Sequence, residues 1–146
     1  MLWNCPGLEI VLPSSPRDVK GLLKTAVASN NPTIFVDHTL LLDLRGDVPL
    51  NDAPIPFGVA DVKRPGTDVT LVAHSRMVLF ALDAAEALAT EGIDAEVIDP
   101  RTTKPLDRDA LIASAKKTSR AIVLDEGHAE YGVTAEIASV IAEPPA

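Results

Sequence analysis
Two short, largely aliphatic runs, Ala95–Ile98 and Arg120–Leu124, flank a Pro-broken loop (DPRTTKPL) and a helix-forming stretch opened by Asp107. Strands joined through a helix lie parallel, because a tight hairpin leaves no room for the crossover. A parallel sheet is covered on both faces, so its strands read as continuous apolar runs rather than alternating ones. Composition agrees. Hydrophobic residues make up 47% of the 146-residue chain but aromatic ones only 3%, so the core rests on Val, Ile, Leu and Ala.

The same logic organises the rest. Leu8–Leu12 (LEIVL) reads as a buried strand behind Pro6-Gly7. Ser15 suits a helix N-cap, Pro16 the first helical position and Asp18 the first turn. Val19, Leu22, Leu23, Ala26 and Val27 form a helical stripe, with Lys20 and Lys24 facing water, until Asn30-Asn31-Pro32 ends the helix. Thr33–Val36 is a second strand, so residues 1–37 make a right-handed βαβ unit. His38 to about Pro56 holds Gly46, Pro49, Pro54 and Pro56 without a sustained period and reads as a linker. Phe57–Lys63 and Asp68–Ala73 flank a type II turn signal, Pro65-Gly66, and are expected to pair as an edge hairpin. A helix is expected over Met77–Glu91, buried through Met77, Phe80, Ala81, Ala84 and Leu88. Asp107 caps the next, with Leu106 and Leu111 as its hydrophobic staple. Val133, Ile137, Val140 and Ile141 mark the last helix, which Glu143-Pro144-Pro145-Ala146 stops. No strand follows it, and a sheet edge is expected to stand open. The fold class is α/β: a three-layer αβα arrangement on a mostly parallel sheet, preceded by the βαβ unit.

A net charge of −8 and a pI near 4.7 argue against nucleic acid and against anionic membrane surfaces, both of which need clustered Lys and Arg. The single cysteine, Cys5, excludes an internal disulfide, and no run is apolar enough for a membrane span. MLWNCPGLEI lacks a basic region before a long apolar run, so no signal peptide is read there and the expected compartment is the cytoplasm.

In open α/β sheets ligands collect beyond the carboxyl ends of strands. Asp37 and His38, His74, Asp99, and Asp125, Glu126 and His128 all stand at such ends. They could bind a metal or transfer protons, or they could be the polar residues expected where a buried chain meets water. Gly127 and Gly132 flank a loop before a helix, without a GxGxxG or Gly-Lys-Ser/Thr pattern. Arg101, Lys104 and Arg108 cluster in sequence and read as a solvated loop.

Six phrases carry a resemblance: PGLEIVLPSSPRDVKGLLKTAV, NNPTIFVDH, GTDVTLVAHSRMV, ALDAAEALATEGIDAEVID, RTTKPLD and DEGHAEYGVTAEIASVIAE. In order and spacing the chain resembles the C-terminal half of the E1 beta subunit of thiamine-diphosphate-dependent 2-oxo acid dehydrogenases, the pyruvate, branched-chain and acetoin dehydrogenase type. The resemblance implies a remnant of a pyrimidine-binding domain over residues 1–47 and a transketolase C-terminal-like domain, lacking its last strand, over 48–146. It also implies that the glutamate and histidine of catalysis lie upstream of this segment, so no residue here inherits a catalytic or cofactor-binding role. Thiamine diphosphate and magnesium belong to the full enzyme, and E1 alpha, E2 and a second copy of the chain are its expected partners. A stand-alone interaction or dimerisation module is the alternative. A third reading is an unrelated α/β enzyme using His74, Asp125 and His128. Many relatives hold a monovalent cation, usually potassium, at the helix-end loop matching Ala26, Val27, Ser29 and Asn31. An ordinary helix C-terminus, whose free carbonyls need partners anyway, is the competing reading.

Overall fold
A computed structural model describes residues 2–128 and 130–143. The elements run β1 (Glu9–Val11), α1 (Pro16–Ala28), β2 (Thr33–Phe35), β3 (Asp61–Arg64), β4 (Val69–Ala73), α2 (Met77–Thr90), β5 (Ala95–Asp99), β6 (Thr102–Lys104), α3 (Arg108–Thr118), β7 (Ala121–Leu124) and α4 (Val133–Ala142). Pro144, Pro145 and Ala146, expected to stop α4, lie outside the described residues.

The larger sheet has the order β3-β5-β4-β7, with β5, β4 and β7 parallel. Side chains alternate across it because successive Cβ atoms point to opposite faces. Val69, Leu71 and Ala73 of β4 and Ala95 and Val97 of β5 meet Val78, Ala81 and Ala85 of α2. Val72 and Ile98 point the other way, to Leu111 of α3 and Val133 and Ile137 of α4. Both faces are covered, which gives the expected three layers. The α3 side also buries a polar seam. Thr70 Oγ1 lies 2.8 Å from Ser114 Oγ and 2.8 Å from Thr118 Oγ1, and the Glu96 carboxylate accepts from Ser114 and Lys117.

The smaller sheet has the order β2-β1-β6. β1 and β2 are parallel and joined through α1, as the capping signals predict. The Ser15 side chain accepts from the Asp18 N–H, and Pro16 opens the helix. The third strand differs from expectation. DPRTTKPL contains β6, which pairs antiparallel with β1 (Ile10 opposite Lys104) and ties the two sheets together. The supposed linker is also held down. Ile55 N–H donates to Gly21 O, Thr25 Oγ1 to Ile55 O and Lys24 Nζ to Asp52 O, while Arg17 pairs with Asp52 at 2.6 Å. Ile55 rests where a Cβ on Gly21 would stand, only 2.5 Å away.

Four further expectations are corrected. β3 does sit at the edge but pairs antiparallel with β5, not β4, so there is no hairpin. Gly66 is not in the positive-φ region a type II turn requires; it is needed because a Cβ there would lie 2.3 Å from the backbone of Ala95 and Glu96. On α2 the expected Met77, Ala81, Ala84 and Leu88 pack on the sheet side together with Val78 and Ala85, but Phe80 is exposed beneath the Arg76 guanidinium. On α1, Leu22 is buried but Leu23 and Val27 face outward, Val27 with 80% of its surface free.

Candidate functional site
The strand ends bring most of the expected polar residues together. Asp37, His38, His74, Asp125 and Glu126 line a cavity of about 240 Å³ between the smaller and larger sheets, with Leu12, Val36 and Met77 as its apolar wall. His38 Nδ1 accepts the Leu40 N–H at 3.1 Å, which leaves Nε2, 2.7 Å from Glu126 Oε1, to carry the proton. Arg76 lies 3.6 Å from the other Glu126 oxygen. His74 is only 7% exposed, and among the described residues neither ring nitrogen has a hydrogen-bond partner. Its Nε2 is 3.7 Å from Asp125 Oδ2, too far for a hydrogen bond, so the two do not form an acid–base dyad. Burial pushes the His74 imidazole below its ordinary value, against the pull of Asp125 and Glu126. His128 is exposed and stands apart from the cavity lining. Among the described residues no three His, Cys, Asp or Glu side chains converge as a metal site.

Asp99 does not join this group. It is fully buried on the side of the β1–α1 loop, where Ser14 Oγ donates to Oδ2 at 2.6 Å and the Arg101 N–H to Oδ1 at 2.8 Å. Asp18, read from sequence as a first-turn residue, is buried beside it. Lys63 from β3 inserts between them, with Nζ 2.7 Å from Asp18, 2.8 Å from Asp61 and 3.8 Å from Asp99. Arg101, in the left-handed region at φ 58°, reaches Asp18 at 3.6 Å. Burial pushes the Asp99 carboxyl up to about 6, although Lys63 and Ser14 hold it down. Burial acts the same way on Asp18, but the Lys63 ammonium and the Ser15 hydroxyl outweigh it and bring the group below the usual carboxylate range. This cluster welds α1 to β3 and β5. Sequence reasoning missed it, since Lys63 on an edge strand carries no signal that distinguishes it from a solvated charge.

The helix-end residues Ala26, Val27, Ser29 and Asn31 are arranged around Glu9. Ser29 Oγ donates to its carboxylate at 2.9 Å and Asn31 Nδ2 at 3.3 Å, while the Ser29 N–H returns to Ala26 O at 3.3 Å.

Residues 58–146, more than half of the chain, match the family described as transketolase, C-terminal domain. The chain belongs to the transketolase C-terminal domain family. Similarity extends beyond that segment. The chain is 45% identical over 141 residues to the 2-oxoisovalerate dehydrogenase subunit beta of Bacillus subtilis, covering 96% of this chain and 43% of that protein. It is 48% identical over 138 residues to the pyruvate dehydrogenase E1 component subunit beta of Rickettsia felis, covering 94% and 42%. To the acetoin:2,6-dichlorophenolindophenol oxidoreductase subunit beta of Bacillus subtilis it is 44% identical over 143 residues, covering 98% and 42%. Among solved structures, "Split gene transketolase, inactive beta4 tetramer" superposes with a TM-score of 0.82 at 27% identity, over 97% of this chain and 46% of that one. The chain therefore spans less than half the length of these relatives. Within the transketolase C-terminal domain segment lie β3 to α4, hence the whole larger sheet. The His74 side of the cavity belongs to that segment, whereas Asp37 and His38 come from outside it.

Proposed function
We propose that this chain serves as the C-terminal, assembly-forming part of an E1 beta-type subunit in a 2-oxo acid dehydrogenase complex. The observation that carries the reading is identity of 44–48% along nearly the whole chain to the beta subunits of three such enzymes. The parent reaction is thiamine-diphosphate-dependent decarboxylation of a 2-oxo acid, with transfer of the acyl group to a lipoyl-bearing E2. In this reading residues 1–47 are the end of a pyrimidine-binding domain and 48–146 the transketolase C-terminal-like domain, with E1 alpha, E2 and a second copy as partners in the cytoplasm. A beta-type chain described as an inactive tetramer supports assembly without catalysis. No helix among the described residues is long and apolar enough to cross a membrane. A stand-alone interaction module is the second reading. It is favoured by the apolar side chains of Val27, Leu40 and Leu42 standing in solvent.

The strand-end cavity does not fit thiamine diphosphate. Among the described residues its lining carries no lysine or arginine, and its carboxylates, Asp37, Asp125 and Glu126, do not converge to hold a magnesium ion that would bridge to a diphosphate. No catalytic step is therefore routed through the cofactor on this chain. Titration calorimetry with thiamine diphosphate and magnesium is expected to show no micromolar binding by the isolated chain, and no carbon dioxide is expected from 2-oxo acids. Micromolar binding overturns the assembly-only reading.

A potassium ion at the Ala26, Val27, Ser29 and Asn31 turn is part of the same proposal, and the Glu9 carboxylate supplies negative charge beside it. The melting temperature is expected to be higher in potassium chloride than in sodium chloride of equal concentration. Equal values reject the site.

A further inference from the structure
The largest cavity described, about 650 Å³, lies away from the strand ends. Its walls are the N-terminal turn Leu2–Asn4, β6, the start of α3 and the N-terminus of α4. Four observations point to its occupant. Thr103 is 6% exposed, and its Oγ1 is buried with no hydrogen-bond partner among the described residues. An orphaned buried hydroxyl is destabilising unless something meets it. Among the described residues Lys104 Nζ is spent only on neutral carbonyls, those of Trp3 at 2.8 Å and of Cys5, and has no carboxylate partner. The N-terminus of α4 has Gly132 as its N-cap and no side chain to satisfy it, which leaves a positive helix end facing the cavity. Gly132 is held to glycine, because a Cβ would lie 2.4 Å from His128 O. Finally, Trp3 and the fully exposed Tyr131 are both among the lining residues. The acidic residue on the wall, Glu136, is already paired with Arg108 at 3.1 Å.

We propose that this cavity binds a phosphate monoester carrying a flat ring. The phosphate lies between Lys104 and the α4 N-terminus, the Thr103 hydroxyl donates to it, and the ring lies against Trp3 and Tyr131. Such an arrangement combines helix-end anion binding with aromatic stacking. The volume is within the range of small-molecule sites, roughly 300–1,000 Å³.

Trp3 is the chain's single tryptophan, so its fluorescence reports directly on the cavity. The probes are adenosine 5′-monophosphate, adenosine and inorganic phosphate, each titrated into the intact chain without magnesium, which separates this site from cofactor binding. The monophosphate is expected to change Trp3 emission saturably and to bind more tightly than either part. Thr103→Val keeps the side chain's shape and is expected to weaken binding about fivefold. Lys104→Gln keeps donors for the Trp3 and Cys5 carbonyls but removes the charge, and is expected to weaken it about tenfold or more. Unchanged circular dichroism in Thr103→Val shows that a loss is local even if Lys104→Gln folds poorly. No saturable response in the millimolar range, or equal binding by wild type and Thr103→Val, overturns the proposal. Equal responses to phosphate and to the monophosphate overturn its ring half.

Discussion

Replacing Lys63 by methionine is expected to cost about 3–5 kcal/mol of stability, because it leaves the Asp99 carboxylate buried without its cation and the buried Asp18 with Arg101 alone. Methionine preserves most of the aliphatic stem, so packing loss is small and the charge is what is tested. The loss depends on pH. Asp99 is raised, so its contribution is fully present below its unfolded value and disappears as pH rises through about 6. Asp18 is lowered, so its contribution is present above its unfolded value and is lost as pH falls through the folded one. Without Lys63 the Asp18 contribution shrinks to what Ser15 and Arg101 sustain, and Asp99 titrates higher still. The gap between wild type and variant is therefore widest near about pH 8 and narrows toward about pH 5, where Asp99 takes up a proton. His74 is lowered and loses stability below its unfolded value of 6.5, but it does so in both proteins and cancels in the difference. Urea denaturation at the two pH values measures the gap. A cost under about 1 kcal/mol, the same at both pH values, would place Lys63 among ordinary surface ion pairs.

The second large effect is on mass. Light scattering is expected to give at least twice the 15.4 kDa of one chain. Two surfaces are candidates for the contact. One is α1 with β2, where Leu23, Val27 and Val36 are exposed; the other is β7, an end strand of the larger sheet whose Ile122 is 53% exposed. Apolar side chains in solvent and open strand edges both favour a partner. A glutamate at the contact must be desolvated, so Val27→Glu or Ile122→Glu is expected to weaken association at least about tenfold, and the one that does so identifies the surface. A single-chain mass at every concentration would refute self-association.

Local signals were legible and non-local ones were not. Ser15 and Asp107 declare helix starts through hydrogen bonds made within three residues and Pro16 through its fixed φ, and the structure has those features. α2 is different. MVLFALDAAEALAT is apolar almost all round, so several rotations satisfy the pattern, and the close approach permitted by Ala81 and Ala85 selects one of them. β3 and β4 are neighbours in sequence, yet β5 takes the place between them, a competition that no local pattern records. β6 is too short and too polar, Thr-Thr-Lys, to read as a strand before its partner is known. At the site, strand-end topology gathers His38, His74, Asp125 and Glu126 as expected. Asp99 leaves the group because the turn at Arg101 and the Ser14 hydroxyl draw it to the other side.

The pairing of β1 with β6 bears on how the chain is made. Residues 9–11 emerge well before the strand that completes their sheet, which begins at Thr102. Leaving the ribosome in order, the β1–α1–β2 unit waits with one flank of β1 unpaired while the 66 residues between Phe35 and Thr102 follow. Vectorial folding, in which each unit finishes before the next emerges, is thus denied to this βαβ unit. Long-range closures of this kind slow folding and lengthen the time in which strand edges are exposed to other molecules. The need for protection falls on the nascent chain rather than on the finished protein, in which that flank of β1 is paired with β6.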